Sequence, residues 1–187
     1  MKKTRVLAIS GSLRKASYNR LSLKIAQSIA LNWGAEVAEI DLKELSLPIY
    51  DQDIEDEKFP ESAVELKSAI EQADVLLIAS PEYNASVSGA LKNALDWISR
   101  NKNSLKGKVV AVFGASDGKF GTVRGQLHLR EILAKLSVFV LPTPQVFIRE
   151  ADRAFNSDGS FKDPETFEKL KELIESTLEY SKKMFNT

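Results

Sequence analysis

Apolar and polar positions along the chain switch between a short-strand pattern and a helical one. Arg5 to Ile9 is an apolar, β-rich run that ends in Ser10-Gly11-Ser12. Beyond that loop Leu21, Leu23, Ile25, Ala26, Ile29 and Ala30 recur at helical spacing. Glu36 to Ile40 alternates like a strand, and the acidic Asp51 to Lys58 reads as an exposed loop. Pro60 stands where the first turn of a helix tolerates it, ahead of Val64, Leu66, Ile70 and Ala73. Val75 to Ala79 and Val109 to Phe113 are continuously apolar, as strands covered on both faces would be. Val87 to Ile98 and Gln126 to Leu136 read as helices, with Gly114 to Gly121 as a loop between them. Val138 to Leu141 and Val146 to Ile148 are short strands separated by Pro142 and Pro144. Asp163-Pro164 opens a last amphipathic helix whose buried stripe is Phe167, Leu170, Leu173, Ile174 and Leu178.

Strand and helix alternate throughout, which predicts an α/β fold with a parallel sheet wrapped by helices on both faces. Five strands fit a doubly wound, flavodoxin-like sheet of order 2-1-3-4-5, and 187 residues make one domain, 1–187. Ligands bind such sheets at the carboxyl ends of the strands, near the switch point. The loops after Ile9, Ala79 and Phe113 are therefore the places to look for chemistry.

Composition narrows the function classes. Lys plus Arg number 26 and Asp plus Glu 26, so no global field draws the chain to nucleic acid or an anionic membrane. The absence of cysteine excludes disulfides, thiolate metal sites and thiol nucleophiles. Apolar runs are too short for a signal peptide or a membrane span, so a cytoplasmic protein is expected.

The first loop, Ser10-Gly11-Ser12-Leu13-Arg14-Lys15-Ala16-Ser17-Tyr18-Asn19, places hydroxyls, an amide and a guanidinium around a helix N-terminus. Unpaired N–H groups and the helix dipole favour an anion there, and Arg14 offers two parallel donors. Gly11 permits close backbone approach. The competing reading is that Ser17 or Asn19 only caps the helix. Neither a Walker loop nor a Gly-x-Gly-x-x-Gly fingerprint is present, which leaves a terminal phosphomonoester, as in a mononucleotide. The second loop carries Ser80-Pro81-Glu82-Tyr83-Asn84. The third carries Gly114-Ala115-Ser116-Asp117-Gly118-Lys119-Phe120-Gly121, a place for a planar ligand.

Four segments together carry a resemblance. Gly11-Ser12-Leu13-Arg14 with Ser17 and Asn19, Pro81-Glu82-Tyr83-Asn84, Leu91-Lys92-Asn93-Ala94-Leu95-Asp96-Trp97, and Phe120-Gly121 leading to Arg124 and His128-Leu129-Arg130 resemble the NAD(P)H-dependent FMN reductases, which include chromate, quinone and azo-dye reductases. The resemblance implies FMN as cofactor and NADPH or NADH as donor. It assigns the FMN phosphate to Ser10, Ser12, Arg14, Ser17 and Asn19. It assigns the ribityl chain and ring edge to Pro81, Glu82, Tyr83 and Asn84, and the ring flank to Ser116, Asp117 and Gly118. The partners it implies are small-molecule acceptors, and a homodimer or tetramer, with the helix Leu91 to Trp97 carrying more apolar surface than one sheet face requires. Two departures stand out. Ser88 replaces a proline common in relatives, which would leave that helix start less rigid, and Asp117 and Lys119 replace glycine in the third loop. Leu127 stands where tetrameric relatives carry an aromatic, which favours the dimer.

Other residues are expected to be structural. His128 has no nucleophile partner legible in the sequence, Trp97 packs in core or interface, the acidic 51–57 segment is solvated rather than a metal site, and Lys92, Asp96 and Arg100 are spaced for ion pairs. No side chain is expected to be an essential acid or base, because FMN carries the chemistry. The rival expectation is a flavodoxin-type electron carrier without nicotinamide oxidase activity. A charged docking face, which the neutral balance does not supply, would be its mark. A third is a binding or regulatory module on the same fold without the cofactor.

Overall fold

The computed structural model describes residues 3–185. The sheet is parallel throughout: β1 (Arg5–Ser10) lies between β2 (Glu36–Ile40) and β3 (Val75–Ala79), and β4 (Val109–Ala115) flanks β3. Beyond β4 the last strand is split. β5 (Phe139–Val140) pairs with Val109 and Val110, and β6 (Val146–Ile148) pairs with Phe113 to Ala115. Pro142 and Pro144, the latter after a cis peptide, fall between the two pieces, where a residue without an N–H cannot continue the ladder. The order is 2-1-3-4-5 as predicted, with β6 as a sixth strand on β4.

Strand alternation feeds two separate cores. In β3, Val75, Leu77 and Ala79 face one helical layer, while Leu76 and Ile78 face the other. The first layer is α1 (Tyr18–Asn32) and α8 (Pro164–Phe185); the second is α4 (Glu61–Gln72), α5 (Gly89–Ser99) and α6 (Val123–Lys135). Leu170, Leu173, Ile174 and Leu178 of α8 are buried as expected, but Phe167 is exposed, outside the stripe. β2 is one of the two edges of the sheet, and its exposed Glu36 and Glu39 discourage further pairing.

Three short helices complete the chain: α2 (Leu42–Leu45), α3 (Gln52–Glu57) and α7 (Ala151–Ala154). α3 corrects the expectation of a loop at Asp51 to Lys58. The Asp51 carboxylate accepts from the Asp53 N–H at 2.9 Å, and acidic residues suit a helix start. The segment before it is held by α5. Asn93 Nδ2 and Trp97 Nε1 each donate to the Pro48 carbonyl at 2.8 Å, and Asn93 Oδ1 accepts from the Tyr50 N–H. Trp97 is fully buried, edge-on to Tyr50 and Phe59. The apolar surplus of α5 is thus consumed inside the chain. Lys92 pairs with Asp96 at 2.6 Å, whereas Arg100 lies over the Tyr50 ring instead of joining an ion-pair row. Lys67 on α4 caps the other end of α5, donating to the carbonyls of Arg100 and Lys102 at 2.7 and 2.6 Å. Burial lowers its pKa from the ordinary lysine value, against the pull of Glu71 and Glu55.

Candidate functional site: a crevice at the strand ends

Four strand ends, those of β1, β3, β4 and β6, are stitched together by the backbone. The Gly11 N–H donates to Ala79 O at 2.9 Å, Ser80 N–H to Phe113 O at 2.8 Å, and Ser116 N–H to Ile148 O at 3.0 Å. The approach is so close that a Cβ on Gly114 would lie 2.0 Å from the Ser80 carbonyl oxygen. Gly11 is needed for a related reason: a Cβ there would meet Pro81 Cδ at 3.0 Å and Leu91. Its smallness serves packing between loops, where the sequence suggested ligand approach.

The first loop is internally ordered. Ser10 Oγ accepts from the Ser12 N–H at 3.2 Å, and Ser12 Oγ faces the Arg14 N–H at 3.5 Å. Ser17 caps α1 by accepting from the Arg20 N–H at 3.4 Å, which leaves its own O–H to donate elsewhere. The capping role of Ser17 is thus real and does not compete with anion binding. Asn19 is buried and its carboxamide is committed: Nδ2 donates to Ala115 O and Oδ1 accepts from Ala115 N–H, both at 2.9 Å. It is a clamp between the first and third loops. Arg14 is exposed at the surface of the loop.

In the second loop, Tyr83 and Ser86 exchange two backbone hydrogen bonds of 3.0 Å around Asn84 and Ala85, both left-handed at φ 50° and 62°. This is a tight two-residue turn that presents Tyr83, which remains 47% exposed. The Glu82 carboxylate turns away from solvent, accepting from the Gly125 N–H at 2.9 Å and pairing with Arg124 at 2.9 Å. It ties the loop to the start of α6. Ser88 does the reverse of loosening α5. Its Oγ donates to Gly11 O at 2.6 Å and caps the helix by accepting from the Leu91 N–H at 3.2 Å. His128 lies exposed on α6 with Nδ1 3.1 Å from Ser86 Oγ. No group of three or more His, Cys, Asp or Glu side chains among the described residues is placed to hold a metal.

The three loops enclose one crevice of about 200 Å³. Ser12, Arg14, Ser17 and Asn19 form its first wall, Pro81, Glu82 and Tyr83 its second, Ser116 and Asp117 its third. Tyr18 and Ala115 also line it and were not read from the sequence; the Asn19–Ala115 clamp, linking residues 96 apart, left no local signal. Ser10 sits behind the first wall, and Asn84 and Gly118 lie outside the lining. A larger groove of about 520 Å³ lies between β6, α7 and the start of α8 and shares no lining residue with the crevice. There the Ala151 N–H donates to Ser116 O and the Glu150 N–H to Gly118 O.

A doubly wound parallel sheet with one crevice at its switch point is a flavodoxin-like α/β protein. The NADPH-dependent FMN reductase family model matches residues 4–153, and the chain belongs to that family. It is 41% identical over 177 residues to an NAD(P)H-dependent FMN reductase of Pseudomonas aeruginosa, covering 94% of this chain and 91% of the relative. An NAD(P)H:quinone oxidoreductase of Solanum tuberosum is 38% identical over 175 residues, covering 91% and 89%. Among solved structures, the flavoenzyme NAD(P)H:(acceptor) oxidoreductase FerB of Paracoccus denitrificans superposes with TM-score 0.84 at 34% identity, over 96% of this chain and 98% of that one. An azoreductase of Bacillus anthracis, at 15% identity and TM-score 0.64, shares the fold.

Proposed function

We propose that the crevice holds FMN and that the protein uses NADPH or NADH to reduce a small acceptor of the quinone type. The observation that carries this reading is that Arg14 and Tyr83, on loops from different strands, line the same crevice. The donor set fits FMN. Ser12 and Ser17 hydroxyls, the Arg14 guanidinium and the first-turn N–H groups of α1 suit a phosphate dianion, with Ser10 and Asn19 holding that loop in shape. Pro81, Glu82 and Tyr83 would brace the ribityl chain and ring edge, Glu82 also by anchoring the loop and Asn84 by shaping the turn beside them, and Ser116 and Asp117, next to Gly118, would brace the ring flank.

When bound, FMN supplies hydride acceptance from the nicotinamide and electron delivery to the acceptor. The chain's own residues bind and orient. Arg14 neutralises the phosphate, Tyr83 offers a flat amphipathic surface, and the Glu82 and Ser88 ties fix the second loop before any ligand arrives. The exposed Tyr83, at 47%, lines the crevice and leaves room for acceptors of varied shape. The reading includes a homodimer rather than a tetramer, since Leu127 stands where tetrameric relatives carry an aromatic; sedimentation as a monomer at micromolar concentration counts against it.

The test is Arg14→Ala. Loss of a charge-assisted bidentate contact worth roughly 1.5–3 kcal/mol weakens FMN binding to the apoprotein about 10- to 100-fold. Flavin fluorescence titration measures it. Unchanged affinity removes the phosphate from this loop. Rapid NADH or NADPH oxidation without an added reductase separates the enzyme from a flavodoxin-type carrier.

A further inference from the structure

A second concavity begins where the crevice ends. A groove of about 410 Å³ shares Arg14, Ser17 and Tyr18 with the crevice and continues along α1 toward β2. Its walls carry Arg14, Lys15, Arg20 and Lys24 against the single carboxylate of Glu39. The whole chain has no net charge, so this concentration of cations is a local departure. Arg14, Lys15 and Lys24 are exposed, and among the described residues none pairs with a carboxylate. Arg20 pairs with Asp41, while its Nε is buried without an acceptor. Glu39 is engaged by Gln27 Nε2 at 2.7 Å.

We infer that this groove is an anion subsite that takes an adenosine phosphate lying end-on to the flavin phosphate. The inference rests on the reading of the crevice given above. Its volume lies within the range of small-ligand pockets, roughly 300–1,000 Å³. Half-buried Tyr18 and Leu21 give an apolar face beside the cations, as a nucleoside requires. The same chemistry arises from two sources: the adenylate half of FAD, continuing from the phosphate in the first loop, or the adenosine end of the nicotinamide donor.

The experiment titrates adenosine 2′,5′-bisphosphate into the protein by calorimetry, with and without FMN. It compares wild type with the Lys15→Glu/Lys24→Glu double variant. Saturable binding is expected in wild type, weakened by at least about tenfold in the variant and by added salt, while FMN affinity moves less than about threefold. A variant-dependent rise in KM for NADPH assigns the groove to the donor. A variant-dependent loss of FAD affinity with KM unchanged assigns it to the adenylate of FAD. Bisphosphate that does not bind wild type below millimolar, or binds both proteins equally, overturns the subsite. Should the double variant unfold, Lys24→Gln alone with the salt dependence decides the same point. A wild-type protein that binds no flavin overturns the crevice reading instead, and the titration without FMN then judges the groove by itself.

Discussion

The first and third loops wall the same crevice but are built differently. In the first, Ser10, Ser12, Ser17 and Asn19 are all buried and each makes a hydrogen bond within the protein. In the third, Asp117, Gly118, Lys119 and Phe120 are exposed. On the proposed reading, the contrast separates the two ends of the ligand. A small, doubly charged group needs fixed donors, and fixing them in advance removes ordering cost from binding. A flat ring that must meet varied partners needs an open mouth, and an exposed loop leaves one.

Substitutions break or sharpen that contrast, beginning where the strand ends meet. Gly114→Ala forces a Cβ into the Ser80 carbonyl, and the expected loss exceeds about 4 kcal/mol, an exceptional single-site effect. Urea denaturation should show it as a collapse of the transition midpoint. Asn19→Ala leaves the Ala115 N–H and C=O without their partners, at about 2–4 kcal/mol. Asp117→Ala, on the opposite wall, should move stability by no more than about 0.5 kcal/mol. Equal effects of the two would erase the distinction between the loops.

Ala85→Gly relieves a left-handed alanine in the turn that presents Tyr83. It should raise stability by about 0.5–1 kcal/mol, read as a higher Tm. The smallest effect concerns pH. At Asp41 burial works to raise the carboxyl, but the ionic hydrogen bond from Arg20 and the Lys43 N–H outweigh it and hold the group below its ordinary 3.8. A carboxyl depressed in the folded state stabilises above its unfolded value and loses that contribution as pH falls below it. Asp41→Asn should therefore flatten the decline of stability below pH 3.8 and leave the pH 5 to 8 region parallel to wild type, by denaturation at several pH values.

Much of this was legible without coordinates, for reasons that differ by element. Val75 to Ala79 announced a strand buried on both faces because no polar residue interrupts it, and Glu36 to Ile40 announced a strand by its alternation. Ser17 could be placed at a helix start because capping is a local bond. The acidic segment at Asp51 misled because composition alone favoured a solvated loop, whereas a short-range cap made a helix of it. Ser88 misled because its partner, Gly11, is 77 residues away.

The chain's periodicity and turn residues determined the order of strands and helices, the two-faced sheet and the location of the loops, since these follow from near neighbours and from the need to bury alternating apolar side chains. The tertiary structure alone decided that Asn19 clamps Ala115, that Glu82 lines the crevice while its carboxylate anchors the second loop to α6, and that Gly11 and Gly114 are small for the sake of neighbouring loops. Those roles depend on distances between residues remote in the chain, and such distances exist only once the sheet has brought the strand ends together.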